Sequence, residues 1–431
     1  MKNIRDGKIE LLMPAGSFET MKTAIEYGAD AVYMGGSSYS LRAKADNFTP
    51  EEMKEGIAYA HEKGVKVYLT VNIYAHNYDL DGIKKYLAEI KDYGFDAILV
   101  SDPGIFTLVK EIIPDIDIHI STQANNTNYL TFKFWHDLGA TRIVCAREMS
   151  LAEIKETRAN IPDDLEIEAF MHGAMCISYS GRCLLSSYFT GRDANKGACT
   201  HPCRWKYAVV EEKRPGEYLP VEEDERGTYI FNSKDLCMVN HIPEMIDAGI
   251  YSFKVEGRMK TALYVASVAK IYREAIDDYY NDIEIYRSKA DYYMEQIAAC
   301  TYRQFTTGFY FGKPDHETQI YDSNTYVQNY IYLGTIEEVA SEAGSFRIML
   351  HQKNKFTVGE EVEIMTFAGE NIKAVITAIA DEKGNSMDSA PHPKQELHVT
   401  LAKKDSEGNA EIKTGMVIRR KAGTEDAGGN D

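Results

Sequence analysis

The pentapeptide Gly28-Ala-Asp-Ala-Val32 sets the architecture of the first half of the chain, because variants of it return at Gly94–Ile98 and Gly139–Ile143. Each copy follows an amphipathic stretch and opens a short apolar run. A glycine after a helical stretch is typical of a helix C-terminus, and a short apolar run is typical of a buried strand. The repeat therefore predicts helix-then-strand units, which build a parallel sheet.

On either side of these repeats, eight apolar runs predict strands, and stretches with helical periodicity separate most of them. The predicted strands are Glu10–Met13, Ala31–Met34, Val65–Val71, Ala97–Val100, Ile116–Ile120, Arg142–Val144, Leu165–Phe170 and Ser252–Val255. Helices are predicted at Phe18–Tyr27, Pro50–Lys63 and Asp81–Tyr93, among others. Eight parallel strands close a barrel, so the α/β pattern predicts a TIM-like (β/α)8 barrel. An open doubly wound sheet is the alternative, but no Gly-rich dinucleotide-binding motif follows any strand.

The spacing of these elements predicts the domain organisation. The barrel occupies residues 1–280 and includes helix Thr261–Tyr279, with a cysteine-rich insertion at about 171–250, after strand seven. Residues 281–330 form a helical and extended connection, 331–421 a small C-terminal all-β barrel, and 422–431 a disordered tail. Strands of the β domain are predicted at Ile331–Val339, Phe346–Met349, Glu361–Met365, Lys373–Ala380, Leu397–Leu401 and Met416–Arg420.

Composition narrows the class of protein. The chain has 431 residues, of which 44% are hydrophobic, and no apolar stretch is long enough to span a membrane. The polar start Met1–Gly7 predicts that no secretory signal is present, so we expect a cytoplasmic protein. A formal charge of −18 argues against indiscriminate nucleic-acid binding, which depends on neutralising phosphates. RNA would therefore need a local basic patch.

Two groups of basic residues are candidates for such a patch. The first lies in the insertion and comprises Arg182, Arg192, Lys196, Arg204 and Lys206. The second is the strand end Arg419–Lys421, for which a solvated strand end is the plainer interpretation.

The cysteines point to a metal centre. In a cytoplasmic protein the seven cysteines are expected to be reduced thiols. Cys145 and Cys300 stand alone in the sequence. The other five crowd into the insertion: Cys176, Cys183, Cys199, Cys203 and Cys237. Scattered buried thiols would not be expected to cluster in this way.

The sequence around these cysteines resembles the signature of the collagenase-like peptidase family U32. The resemblance rests on Glu168-Ala-Phe-Met-His-Gly-Ala-Met-Cys176 continuing through Cys183 to Ser186, and on Gly197–Tyr207. Met13-Pro-Ala-Gly16 and Val255-Glu-Gly-Arg258 resemble further hallmarks of the family. The likeness covers the whole barrel and, more loosely, the β domain.

This resemblance implies two different activities. Some members of the family are named as collagenases. Others act in prephenate-dependent hydroxylation of the wobble uridine of tRNA to 5-hydroxyuridine, and several carry a 4Fe–4S cluster on four cysteines. The resemblance therefore implies an iron–sulfur protein in tRNA modification, with prephenate as co-substrate and a related subunit as a further partner. The alternatives are a U32-type peptidase and a metal-carrying adaptor subunit.

A cluster needs four converging thiolates. We predict the set Cys176, Cys183, Cys199 and Cys203, with Cys237 in reserve, because Gly181 can bend the first pair inward and the second pair shares one turn. Structural zinc is an alternative, with His201 as a further ligand. Simple burial of the thiols is another.

Nothing in the sequence supplies a convincing peptidase mechanism. His61-Glu62 lacks the second histidine of a zinc-protease helix, and no Gly-x-Ser-x-Gly nucleophile motif occurs. A cysteine nucleophile paired with His172 is conceivable, but thiolates that bind a metal are not free to attack a carbonyl.

Polar residues after the strand ends predict the substrate site, because the C-terminal ends of barrel strands carry function. The predicted substrate-binding residues are Arg42, Asn72, Gln123, Asn125, Arg147 and Arg258, and the predicted catalytic residues are His172 and Glu256. Ser101, Asp102, Glu148 and Asn47 belong to the same predicted mouth or to a loop over it. Arginines match carboxylates in a bidentate manner, so Arg147 and Arg258 could hold a dicarboxylate such as prephenate. Alternatively, Arg147–Glu148 and Glu256–Arg258 are ion pairs that tie loops together.

Overall fold

The computed structural model describes most of the chain. The described residues are 9–36, 39–40, 48–176, 178–179, 181–205, 208–210, 218–220, 232–300, 302–312, 319–320, 328–342, 345–404 and 411–423. The chain divides into two compact units. The first comprises Met1–Phe18, Asp30–Met259 and Arg303–Thr325, and the second Glu19–Ala29, Lys260–Tyr302 and Tyr326–Asp431.

The predicted parallel barrel is confirmed. Its eight strands are Glu10–Pro14, Ala31–Met34, Lys66–Val71, Ala97–Val100, Asp117–Ile120, Arg142–Val144, Glu166–Ala174 and Ser252–Val255. Each strand pairs in parallel with the next, and the eighth pairs with both the seventh and the first, which closes the sheet. The polar ends of the strands therefore meet at one mouth, which is where the site is built.

Helices alternate with these strands, and local sequence explains where several begin and end. They span Phe18–Glu26, Pro50–Glu62, Asn77–Ile90, Pro103–Ile112, Tyr129–Asp137, Leu151–Ala159, Ile242–Asp247 and Ala262–Asn281. Thr49 and Ser150 each form a capping box with the glutamate three residues on. Gly139 has a φ of 101°, which side-chain-bearing residues rarely adopt, and it directly follows the C-cap residue Leu138, so it ends its helix as predicted. Gly94 has a φ of 95°, but the helix before it ends earlier, at Ile90 with Lys91 as its C-cap.

The barrel interior contains a buried ion network rather than apolar side chains alone. Arg142, 1% exposed, donates to Glu10 at 2.6 Å and to Glu168 at 3.1 Å. Glu166 accepts from the same guanidinium at 2.7 Å, and Lys254 donates to Glu168 at 2.6 Å. Burial alone would raise the pKa of Glu10, but Arg142 and neighbouring donors bring it below its usual value. Charges are tolerated here because each has a partner.

The insertion between strands seven and eight contains several short elements. They are helix Leu185–Thr190, the 3-10 turns Ala194–Lys196, Pro202–Arg204 and Val239–His241, and strands Ala208–Val210, Tyr218–Pro220, Asn232–Ser233 and Asp235–Cys237. The last strand runs antiparallel to strand seven and parallel to Phe305–Thr306, which extends the barrel sheet. Strand Asn232–Ser233 pairs with Gln319–Ile320.

In the second unit, a closed antiparallel barrel of six strands confirms the predicted β domain. Its strands are Tyr330–Glu342, Ser345–His351, Glu361–Met365, Ile372–Asp381, Glu396–Lys403 and Val417–Lys421. Closure occurs because Glu361–Met365 pairs with both Val417–Lys421 and Ile372–Asp381. Short pairings involve Phe356–Thr357, Ser386–Met387 and Ser389–Ala390, and helices Ile283–Ser288 and Ala290–Ile297 belong to the same unit.

The structure corrects one basic segment proposed from the sequence. Arg419 is 1% exposed and its Nε donates to Glu363 at 3.0 Å, so it cannot reach a nucleic-acid backbone. Arg420 lies 3.4 Å from Glu360. The predicted disorder of residues 422–431 falls, beyond Gly423, outside the described residues. In the described part of the chain, no helix has both the length and the apolar character needed to cross a membrane.

Candidate functional site

A pocket of about 550 Å³, including its open mouth, lies at the C-terminal ends of the barrel strands. Strands around the barrel and the residues just beyond them supply its lining. The lining residues are Tyr33, Thr70, Asn72, Leu99, Ser121, Thr122, Gln123, Val144, Arg147, Phe170, Lys254, Glu256 and Arg258. This is the end of the barrel at which such folds carry their chemistry.

Arg147 is held rigidly at one wall of the pocket. Its Nη2 donates to Glu256 Oε2 at 2.7 Å, its Nη1 donates to the Ala174 carbonyl at 2.8 Å, and its guanidinium lies 4.1 Å from the centre of the Phe170 ring. The ion pair therefore joins the loops after strands six and eight. It is neither of the two ion pairs considered from the sequence, Arg147–Glu148 and Glu256–Arg258. Glu148 takes no part in this ion pair. It is half-buried, and burial raises the pKa of its carboxyl.

Arg258 supplies a second cation from the same mouth. It is 7% exposed, and its Nη1 lies 3.3 Å from Thr70 Oγ1 and 3.4 Å from Ser40 Oγ. A Cβ on Gly16 would lie 1.9 Å from the Arg258 carbonyl oxygen, so only glycine fits there. The two family motifs Met13–Gly16 and Val255–Arg258 are therefore in contact. Arg42 and Asn47, which the sequence placed in this region, lie outside the described residues.

Lys254 is a third cation on the pocket wall, and it was not predicted from the sequence. Its Nζ lies 4.4 Å from the centre of the Tyr33 ring, in addition to its ion pair with Glu168. Burial lowers the pKa of this lysine, and the Glu168 carboxylate opposes that shift. A lysine between the apolar residues Phe253 and Val255 of a fully buried strand was the signal that could have revealed it. The three cations and the two carboxylates that pair with them, Glu256 and Glu168, leave one positive charge in excess, which favours binding of an anion.

Amide and hydroxyl groups line the opposite wall. Asn72 donates to Ser121 Oγ at 3.2 Å, and the buried Oε1 of Gln123 has no hydrogen-bond partner in the described structure. Such an atom is expected to accept a hydrogen bond from a ligand or water. Asn125 is in the left-handed region, with φ of 57°, and is not part of the lining. Asp102 instead caps helix Pro103–Ile112 by accepting from its first N–H groups.

His172 occupies a different place from the one expected. Strand seven continues to Ala174, so His172 lies within it rather than beyond its end. The residue is 2% exposed, contacts the Phe305 ring and is not part of the pocket lining. Cys237 faces it across the antiparallel pairing and is 6% exposed.

The four predicted cluster ligands differ from the other cysteines in exposure. Cys145, Cys237 and Cys300 are buried, whereas Cys176 is exposed and the rest are partly exposed: Cys183, Cys199 and Cys203. Although Cys176 is exposed as a residue, local desolvation raises the pKa of its thiol, and nearby Cys183 and Glu256 act in the same direction while Arg147 lowers it. Cys176 therefore adjoins both Cys183 and the pocket.

These thiols suit a metal centre for two reasons: thiolates are metal ligands, and the segments that carry the thiols lie in the same insertion. Ser186 Oγ lies 3.0 Å from Thr200 Oγ1 and accepts the Thr200 N–H at 3.1 Å, which ties the segments that follow Cys183 and Cys199. The His201 N–H points at Cys199 Sγ at 3.4 Å. In the described residues, however, no group of three or more Cys, His, Asp or Glu side chains is arranged to hold one ion. Cluster binding would therefore require rearrangement of the thiols.

Contacts with the loop after strand three hold the insertion over the pocket mouth. Arg182 Nη1 donates to Tyr74 Oη at 3.0 Å, and Tyr74 Oη donates to the carbonyl of Gln123 at 2.6 Å. Lys196 lies 2.8 Å from Asp79, so part of the predicted basic patch is neutralised. The side chain of Arg204 and the whole of Lys206 lie outside the described structure.

Gly181 lies at the tightest of these contacts, so a substitution at this residue tests whether the contact holds the insertion in place. A Cβ at Gly181 (φ +74°) would lie 2.5 Å from Tyr74 Oη and 2.8 Å from the Gln123 carbonyl oxygen. Gly181→Ala should therefore lose about 1–3 kcal/mol of unfolding free energy from overpacking, beyond its left-handed backbone cost. We expect faster limited proteolysis within the insertion.

The matched control is Gly191→Ala, because Gly191 has a similar φ of +66° but no atom within 4 Å of its Cβ. Both changes share the backbone cost of about 1–2 kcal/mol. Equal unfolding free energies and proteolysis rates for the two variants would show that the Gly181 contact does not hold the insertion in place.

Comparison with known proteins is consistent with this geometry. Residues 16–320 match the model of peptidase family U32, and residues 328–411 match the family's C-terminal domain. The chain is 40% identical to "tRNA hydroxylation protein P1" of Bacillus subtilis over 94% of each chain. It is 39% identical to "tRNA hydroxylation protein P" of Escherichia coli, over 89% of this chain and 92% of the other. An "uncharacterized protease" of Methanocaldococcus jannaschii is 45% identical over 70% and 73%. The chain belongs to peptidase family U32.

Proposed function

We propose that this protein acts in the hydroxylation of the tRNA wobble uridine to 5-hydroxyuridine, in the cytoplasm. The observation that carries the proposal is the full-length likeness to proteins named for tRNA hydroxylation, at 40% identity over 94% of both chains. The anion-binding pocket and the adjoining cysteines supply a site for such chemistry in the same unit of the structure.

Prephenate is the proposed small-molecule co-substrate. It carries two carboxylates, and the pocket offers Arg147, Lys254 and Arg258, of which Arg147 is paired with Glu256 and Lys254 with Glu168. Arg147 uses one guanidinium edge for Glu256, and a ligand carboxylate would meet the one positive charge in excess. Gln123 would orient the ligand through its unpartnered Oε1.

A 4Fe–4S cluster is the proposed cofactor, with zinc as the alternative. Cys176, Cys183, Cys199 and Cys203 would hold it, and such a group supplies one-electron transfer when bound. The electrostatic influence of Arg147 and Glu256 on Cys176 supports a location of this site beside the pocket. A related subunit is a further partner in this proposal.

Peptide cleavage is the second activity to consider, because the family and the archaeal relative carry that name. A hydrolytic site needs a nucleophile beside a base, or a metal-activated water. The described lining of the pocket contains neither histidine nor cysteine, and its hydroxyl groups include Ser121, which accepts from Asn72. The geometry therefore favours anion binding over peptide hydrolysis. A metal-carrying adaptor role would leave this pocket unused.

The proposal is tested by expressing this chain in Escherichia coli from which the 39%-identical relative has been deleted. Growth without oxygen removes any contribution from oxygen-dependent hydroxylation. We expect 5-hydroxyuridine and its derivatives to return to tRNA, as measured by nucleoside mass spectrometry. Unmodified tRNA in cells that contain the folded protein would refute the proposal.

Two pocket variants in the same assay test the role of charge. Arg147→Met removes the guanidinium that pairs with Glu256 and should weaken prephenate binding about 10- to 100-fold, because charge-assisted hydrogen bonds contribute about 1.5–3 kcal/mol. Glu256→Gln removes the negative charge instead, so it should preserve or tighten the binding of prephenate. If Glu256 is catalytic, the formation of 5-hydroxyuridine should nevertheless fall. Calorimetric titration with prephenate measures the first effect and tRNA analysis the second. Equal binding by both variants would exclude the charge-based role.

A further inference from the structure

The insertion exposes a group of large apolar side chains that no part of the proposed chemistry uses. We call this group the aromatic platform, and it consists of Leu184, Tyr188, Phe189 and Trp205. Their exposed fractions are 72%, 83%, 44% and 45%, which is costly unless a ligand covers them.

Ring contacts make the platform one continuous surface. The rings of Tyr188 and Phe189 lie 5.2 Å apart in an edge-on arrangement, and those of Phe189 and Trp205 lie 6.4 Å apart. Leu184 is one helical turn before Tyr188, whose N–H donates to the Leu184 carbonyl at 2.9 Å. Phe189 thus supports the rings on either side of it, and Tyr188 is the most exposed.

The charge around the platform is opposite to that of the whole chain. Between residues 176 and 205 there are four basic residues, Arg182, Arg192, Lys196 and Arg204, and one acidic residue, Asp193. Lys196 is paired with Asp79, so this segment together with that partner carries a net charge of +2. The complete chain carries −18. Exposed rings interleaved with positive charge suit a polyanion whose bases can stack, because every nucleobase has an aromatic face and every nucleotide a phosphate.

The platform also lies next to the site. It begins directly after Cys183 and ends two residues after Cys203. Arg182, adjacent to Cys183, is linked through Tyr74 to Gln123 on the pocket wall. A nucleic-acid loop held on these rings would therefore have its bases close to both the cysteines and the pocket.

We infer that the aromatic platform binds a single-stranded RNA loop by stacking bases on Tyr188 and Trp205, and so holds the target base beside the pocket. The inference rests on the proposed function and adds the surface that selects an unpaired loop. Double-stranded RNA hides its base faces within the helix, so the platform should discriminate against it.

Fluorescence gives a direct measurement, because the chain has two tryptophans and only Trp205 is exposed, Trp135 being 5% exposed. The full-length protein is titrated with a short RNA hairpin that carries uridine in its loop, and with a fully paired duplex of the same composition. We expect the hairpin to quench the emission of Trp205 and the duplex to leave it nearly unchanged. Trp205→Ala should retain only the unresponsive emission of Trp135.

Tyr188→Ala should weaken hairpin binding roughly tenfold, in the range measured for base–aromatic stacking, whereas Tyr188→Phe should retain most of the affinity. The matched control is Phe134→Ala, since Phe134 is 55% exposed on helix Tyr129–Asp137 of the same unit. Unchanged melting temperatures would show that each variant is folded.

The outcomes separate this inference from the function on which it rests. If the wild type binds the hairpin and Tyr188→Ala and Trp205→Ala bind it equally well, the platform is refuted while tRNA modification stands. If the wild type binds no RNA and restores no 5-hydroxyuridine, both fail. If the variants change the sedimentation of the protein but not its RNA affinity, the platform is a protein interface and the inference is wrong.

Discussion

Alanine at any one of Cys176, Cys183, Cys199 or Cys203 should abolish both cluster binding and tRNA hydroxylation. The wild type, purified without oxygen, should contain about four irons and four acid-labile sulfides per chain and absorb visible light. Each variant should lose most of the iron and sulfide, because three thiolates hold such a cluster poorly. Iron and sulfide analysis of the purified protein and 5-hydroxyuridine in tRNA are the two measurements.

The remaining cysteines provide matched controls. Cys145→Ala removes a buried thiol, 2% exposed, whose pKa burial raises strongly, so we expect unchanged iron content and a small loss of stability. Cys237→Ala tests whether Cys237, the alternative ligand, binds the cluster. Loss of iron in Cys237→Ala together with full iron in Cys203→Ala would replace Cys203 in the ligand set. Zinc in place of iron, or no metal in protein purified without oxygen, would contradict the cluster.

The second large effect concerns the buried network in the barrel. Arg142→Met should lower the free energy of unfolding by about 3–5 kcal/mol, because it leaves Glu10 and Glu168 buried without their shared cation. Urea unfolding monitored by circular dichroism measures the loss. A second change, Glu10→Gln in the Arg142→Met background, should recover part of it, because one uncompensated carboxylate is removed.

The sign of the pH dependence provides an independent check. In the wild type the pKa of Glu10 is lowered by Arg142, so its contribution to stability is present above the unfolded pKa and is lost as pH falls through the folded value. In Arg142→Met the hydrogen bonds from Tyr68 and Ser252 remain but the cation is gone, so burial should raise the folded pKa above the unfolded one. The stability gap between variant and wild type should therefore be widest near neutral pH and narrow on acidification. A gap independent of pH would show that lost packing, rather than charge, causes the destabilisation.

Much of the fold follows from local sequence. The Gly-x-x-x-apolar repeat and the alternation of periodicities predicted the (β/α)8 barrel, and short apolar runs separated by turns predicted the β domain. Seven of the eight predicted strands of the (β/α)8 barrel lie within two residues of the observed bounds. These features are local: a capping box or an apolar run depends on residues a few positions apart. The seventh strand is the exception, because its continuation to Ala174 depends on pairing with the distant Asp235–Cys237.

The chemistry of the site was also partly visible in the sequence. Five of the polar residues that follow strand ends in the sequence line one pocket, because parallel strands share an end: Asn72, Gln123, Arg147, Glu256 and Arg258. His172 could not be placed by the same rule, since the end of its strand is set by a tertiary pairing.

Which charges meet depends on the tertiary structure. Arg147 pairs with Glu256, a residue 109 positions away, rather than with its neighbour Glu148. Lys254 lies on the pocket wall in an ion pair with Glu168, a residue of the seventh strand that is distant in sequence. Local sequence was enough to establish the order of the elements, the cysteine-rich insertion and the family. The charge of the pocket and the exposure of Tyr188 depended on the closed sheet and the docked insertion, because long-range electrostatic and packing energies arise only when distant segments are brought together.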